Sequence, residues 1–124
     1  MIGVDASVII SWLANGDDPK VKRLDAALDD DEAFVAPVTI TELLSDPNGG
    51  PTIANRLVVF QVFPLQQGYW ERAGLLRAAL RRAGRKAPMA DALIAQACID
   101  ANIPLLTRDA DFKIHAEMFG LKLA

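Results

Sequence analysis

Histidine and cysteine are all but missing from this chain. A single His115 and a single Cys98 leave no nitrogen and sulfur ligand set for zinc. One cysteine also excludes an internal disulfide, and its neighbours Ala97 and Ile99 mark Cys98 as a small core residue. His115 is expected on the exposed face of a helix. No apolar run approaches the roughly 18 residues that a membrane-spanning helix needs, so no membrane association is expected. The N-terminus shows neither a basic leader nor a small-residue cleavage site, and the expected location is the cytoplasm. There is no Gly-x-Ser-x-Gly nucleophile turn and no glycine loop to cradle phosphate. Internal repeats and low-complexity linkers are absent. Positive charge is not in surplus either: 13 Lys and Arg face 16 Asp and Glu, a net charge of -3. Taken alone, that balance argues against a nucleic-acid partner, although a site can be locally basic.

Apolar residues are abundant. They make up 52% of 124 residues, with a mean hydropathy of +0.19. That length suits one domain over residues 1–124 with a core needing no staples. The apolar excess implies covered surface, hence a homodimer or another bound partner.

Apolar runs and breakers alternate along the chain. Strands are expected at Met1–Val4, Ala33–Pro37, Val62–Leu65 and "IPLLT", with a fifth at the terminal "LKLA". Helices are expected at Val8–Ala14, Val21–Leu28, from Thr39, over Asn55–Phe60, Trp70–Ala83 and Met89–Ala101. The cluster "SDPNGGP" is the strongest break. Alternating strands and helices predict an α/β fold, a parallel sheet of four to five strands flanked by helices. In such sheets ligands bind beyond the carboxyl ends of the strands.

Five acids map to that edge. Asp5 ends the first strand, Glu42 is expected in the first turn of the helix after the second, and Asp91 in the first turn of the helix leading to the fourth. Asp109 and Asp111 follow the fourth strand in "TRDADF". Structural roles are available to most of them. Thr39-x-x-Glu42 fits a capping box, Asp91 can complement a helix dipole, Asp109 can close an Asx-turn, and Asp111 can N-cap a helix starting at Phe112. Those roles leave Asp5 unexplained and make the shared edge a coincidence. Two carboxylates about 5 Å apart repel by roughly 3 kcal/mol at an effective dielectric of 20. Several such pairs rival the ~5–15 kcal/mol stability of a domain. A real cluster therefore holds protons or cations, and oxygen-only ligands select magnesium or manganese. An all-carboxylate divalent site suits phosphodiester hydrolysis.

"VDASVI", "TELL" around Glu42, "ADALIAQA" at Asp91 and "LLTRDADF" together resemble a PIN domain of the VapC-type toxin ribonucleases. The four motifs occur in order across essentially the whole chain, though Ser45–Gln67 carries none. The resemblance implies a Rossmann-like sheet of order 3-2-1-4-5 and a magnesium-dependent endoribonuclease, with manganese as a substitute, inhibited by a cognate antitoxin. By position Asp5, Glu42, Asp91 and Asp109 would be the catalytic and metal-binding quartet, Asp111 a further metal ligand, and Ser7 and Thr107 supporting hydroxyls. The implied reaction is in-line attack of water on phosphorus, a cation offsetting charge on the nonbridging oxygens, to give a 5′-phosphate and a 3′-hydroxyl.

"RAALRRAGRK" concentrates Arg77, Arg81, Arg82, Arg85 and Lys86 before the Asp91 helix. It is either a solvated face or, as its place suggests, a contact for RNA backbone. Arg108 could hold a phosphate or neutralise Asp109. Trp12, in "VIISWLA", belongs to the core or to a groove for an antitoxin helix. Tyr69 and Trp70 could be core, dimer contact or a base-stacking platform. Two rivals follow. An aspartyl-phosphate phosphatase with Asp5 as nucleophile would carry a second aspartate where Ser7 stands, which disfavours it. A PIN-type scaffold that binds RNA or protein without cutting is the stronger alternative.

Overall fold

The computed structural model describes residues 1–124. Four short strands, β1 (Ile2–Val4), β2 (Ala33–Val35), β3 (Gln61–Val62) and β4 (Leu105–Leu106), form a parallel sheet in the order β3-β2-β1-β4. Helices α1 (Ala6–Leu13) and α2 (Pro19–Asp29) connect β1 to β2. Helices α3 (Pro37–Leu44) and α4 (Gly50–Leu57) connect β2 to β3, and α5 (Tyr69–Arg82) and α6 (Met89–Ala101) connect β3 to β4. A 3-10 turn (Ala110–Phe112) and α7 (Lys113–Phe119) follow. The expected fifth strand shrinks to one parallel bridge, Leu105 to Leu123. Leu105 is bonded on both sides there, its N–H to Lys122 O at 2.8 Å and its carbonyl to Ala124 N at 2.8 Å. Leu121 is buried in the core but Leu123 is 42% exposed, and with the pairing limited to that bridge "LKLA" extends the edge without building a strand. No helix is long and apolar enough to cross a membrane.

Successive strand residues point to opposite faces, and the core divides accordingly. Ile2, Val4, Ala33, Val35 and Leu106 join Ile9, Leu24 and Leu43 on one face. Leu105 joins Phe63, Tyr69, Ile94, Cys98 and Phe112 on the other. The sheet thus lies between two helical layers, and the expected α/β architecture is what the chain adopts.

Several boundaries differ from the sequence reading, each for a local reason. Pro37 opens α3 rather than closing β2, because proline suits the first helical turn. Helix α4 begins inside the breaker cluster, with Gly50 and Pro51 as its first residues. His115 is buried, not exposed, at 1% accessibility. Its ring packs between those of Phe112 and Phe119, at 5.4 and 6.4 Å, and burial lowers its pKa. Tyr69 is core: its hydroxyl donates to Leu93 O at 2.6 Å, and burial pushes its pKa up to about 12. Trp70 is 62% exposed. Trp12 is half-buried, stacked under the Arg56 guanidinium at 4.4 Å, with its indole N–H on Asp25 Oδ1 at 3.0 Å.

Helix α5 ends in a Schellman motif. Gly84 takes φ +73°, its N–H bonds Arg81 O, and the Arg85 N–H bonds Leu80 O, both at 3.0 Å. That turn aims Arg85 and Lys86 away from the helix axis.

Helix α6 lies close on the sheet because β1 carries Gly3 at its centre. A Cβ there would meet Cys98 Sγ at 2.7 Å and the Phe63 ring at 3.2 Å. Gly3→Ala should therefore cost about 1–3 kcal/mol in denaturant melts, as overpacking does. The loss should shrink in a Cys98→Ala background. An unchanged midpoint for Gly3→Ala would contradict this packing.

Candidate active site

In a parallel α/β sheet the connecting helices run against the strands, so helix N-termini and strand carboxyl ends share one edge. Asp5 leaves β1 at that edge, and Thr107, Arg108 and Asp109 leave β4 beside it. Asp91 enters in the first turn of α6.

Asp5 is 5% exposed and touches no cation. Instead its Oδ1 accepts the Ser7 N–H at 3.1 Å and the Ser7 hydroxyl at 2.6 Å. Its Oδ2 accepts the Thr107 hydroxyl at 2.6 Å. These donors occupy three of the roughly four acceptor positions a carboxylate offers, leaving one on Oδ2. The donors are themselves anchored: Arg108 N–H donates to Ser7 Oγ at 3.0 Å, and Asp109 N–H to Thr107 Oγ1 at 2.9 Å. Lys20 Nζ donates to Thr107 O at 2.9 Å. Asp109 Oδ1 in turn accepts the Asp111 N–H at 2.9 Å, the Asx-turn arrangement. Asp109, not Asp111, is thus the cap of the 3-10 turn. Asp5 also caps α1, a structural role that the Asp-x-Ser spacing would have allowed and that the sequence reading overlooked.

The loop so held brings Asp109 and Asp111 to Asp91. Each of the three offers a carboxylate oxygen, and these oxygens lie within 4.8 Å of one another. Asp91 is half-buried. Burial first, and then the charges of Asp109, Asp111, Glu42 and Asp5, push its pKa up to about 6. Glu42, exposed overall, has its carboxyl pKa raised by burial and by the charge of Asp5. All five acids therefore share one field, but only Asp91, Asp109 and Asp111 form the tight triad. An oxygen-only donor set at this spacing fits a hard divalent cation.

Glu42 is not in a capping box. Helix α3 starts at Pro37 with Ala36 as its uncapped N-terminus, which moves Glu42 to the second turn. Thr39 is buried, and its hydroxyl has no partner. Arg108 turns from Asp109: its guanidinium bonds Asp18 through Nη2 and Ser11 Oγ at 3.1 Å. Arg77 is also engaged, its Nε on Ala87 O at 2.6 Å. Arg81, Arg82, Arg85 and Lys86 are exposed and form no ion pair. Arg85 and Lys86 share a cavity wall with Asp111 and Lys113. Lys20, Lys113 and Ser11 were missed, because lone polar residues in loops and short helices carry no periodic signal.

A family model described as "PIN domain" matches residues 2–118. Among solved structures, the chain is similar to VapBC2 from Rickettsia felis bound to a promoter DNA fragment. The TM-score is 0.79 at 18% identity, covering 100% of this chain and 98% of that one. It is likewise similar to VapBC-1 from nontypeable Haemophilus influenzae, with TM-score 0.76 and 19% identity, covering 100% and 97%. FitAcB from Neisseria gonorrhoeae follows with TM-score 0.75 and 20% identity, covering 99% and 96%. At these identities the likeness is one of fold. No curated protein sequence matches the chain.

Asp91 takes up its proton at about 6 when folded and near the ordinary 3.8 when unfolded. Between those values the folded state binds more protons, so stability rises as pH falls. The protein in EDTA should accordingly melt higher at pH 5 than at pH 7, and Asp91→Asn should flatten that gain. Identical pH profiles for the two proteins would remove the triad as the source of the strain.

Proposed function

The chain belongs to the PIN domain family, and from that premise we propose that it is a divalent-metal-dependent endoribonuclease acting in the cytoplasm as the toxin of a toxin–antitoxin pair. The observation that carries the reading is the triad of Asp91, Asp109 and Asp111 at the strand ends, on a chain matched by the family model almost from end to end.

Asp91, Asp109 and Asp111 would hold the cation, with Asp5 and Glu42 as the flanking carboxylates. Magnesium is the natural occupant of such oxygens, with manganese as its substitute. When bound, the cation supplies positive charge against the nonbridging oxygens of the scissile phosphate. The chain's own residues do the rest. Ser7 and Thr107 fix the Asp5 carboxylate, and through their acceptor oxygens they fix the backbone of Arg108 and Asp109. The carboxylates are the proton acceptors available to an attacking water, since His115 is enclosed between phenylalanines. Arg81, Arg82, Arg85 and Lys86 supply free positive charge for an RNA backbone.

The partner reading rests on the relatives, several of which were solved as toxin–antitoxin complexes. An apolar cavity of about 450 Å³ between α1, α3 and α4, lined by Ile10, Leu13, Leu43 and Ile53 with Glu42 on its wall, lies ready for an antitoxin helix. Trp12 is not among its walls and packs against the core instead, the other of the two places the sequence left open for it. The exposed Trp70, Leu75 and Met89 support a homodimer.

Cleavage of a mixed RNA pool tests the reading. The chain should cut in magnesium or manganese and not in EDTA, and Asp91→Asn should lose more than about 100-fold in rate, beyond the 10–100-fold typical of outer-sphere residues. Equal rates would remove Asp91 from the site. A wild-type chain that binds RNA and cuts none in either metal would establish the scaffold reading instead.

A further inference from the structure

Several basic side chains of the chain are already engaged. Arg108 is committed to Asp18, and Arg72 to Asp100 at 2.6 Å; Arg77 holds a carbonyl. Arg85, Lys86 and Lys113 are different. None of the three ion pairs in the molecule includes them, and all three are exposed. They come from two separate elements, the Schellman turn after α5 and the start of α7. Together they line one polar cavity of about 410 Å³ whose wall also includes Asp111 and Glu117. That volume lies at the small end of the roughly 300–1,000 Å³ range of ligand clefts.

Two features give this cavity a purpose. Its five charged walls sum to one net positive charge, in a chain whose total is -3. It also shares Asp111 with the carboxylate triad, so whatever occupies it lies directly beside the acids. Once a cation neutralises Asp111, the cavity becomes more positive still. A guanidinium and two ammonium groups lining one open cavity match a phosphate monoanion.

We infer, resting on the nuclease reading, that this cavity is the subsite for the backbone phosphate flanking the scissile one, with Lys113, Arg85 and Lys86 as its phosphate-binding residues. The RNA strand then passes from the triad over Asp111 toward α7. Lys113 becomes a substrate-positioning residue that no pattern in the sequence picks out. Glu117, on the same wall, weakens the site and limits how tightly product is held.

The test is binding of a fluorescein-labelled single-stranded RNA to the full chain in EDTA, where no cleavage occurs, across a salt series. Lys113→Gln should weaken binding and flatten the slope of log K against log salt by about 0.7, the share of one phosphate contact on a single strand. Lys113→Arg should keep both. Glu117→Gln should tighten binding, an outcome that misfolding does not produce. Wild-type affinity and slope in both Lys113→Gln and Glu117→Gln would overturn the subsite. If the wild type still cuts RNA in manganese, the nuclease reading survives that result. A wild-type chain that neither binds nor cuts RNA removes both.

Discussion

A carboxylate buried without a cation must be satisfied by neutral donors, and Asp5 is held by three of them. This requirement ties together parts of the chain about a hundred residues apart. The hydroxyl of Ser7 comes from the first turn of α1 and that of Thr107 from the end of β4. Because each hydroxyl also accepts a backbone N–H, the carboxylate fixes not two side chains but a length of backbone. Along that backbone sit Asp109 and, one hydrogen bond further, Asp111. An alanine at Ser7 or Thr107 would leave one carboxylate oxygen short of a donor and one backbone N–H without its acceptor.

The same edge is electrostatically strained. Half-buried Asp91 faces four other acids, while Arg108, the residue before Asp109, is drawn off to Asp18. Lys20 reaches the edge but spends its contact on a carbonyl. A protein selected only for stability would pair these carboxylates with cations or replace them. Their concentration where a parallel sheet binds its ligands makes sense as a place kept for external positive charge. The unpaired basic side chains around Asp111 supply the complement, attraction for an anion next to a cation site.

Much of the fold was legible in the sequence because it follows from periodicity. The helix over Met89–Ala101 and the first strand were readable from apolar spacing, as was Cys98 in the core. Asp91 in the first turn of α6 followed from Pro88 before it. What was not legible depended on tertiary partners. Thr39 and Glu42 fit a capping box by spacing, but Pro37 starts the helix earlier and shifts both inward. His115 reads as polar, yet two phenylalanines enclose it. The helix expected over Asn55–Phe60 overlaps α4, but its start at Gly50 hides in a run of breakers whose proline serves as a helix start. The cavity holding Arg85, Lys86 and Lys113 joins segments with no shared pattern, so only the folded chain reveals it.

The most direct measurement is anomalous diffraction from crystals of the chain grown with manganese. The account predicts a peak among the carboxylates of Asp91, Asp109 and Asp111, with the Asp5 hydrogen bonds to Ser7 and Thr107 intact. No peak there at saturating manganese, or a peak elsewhere with the triad engaged by protein cations, would contradict it.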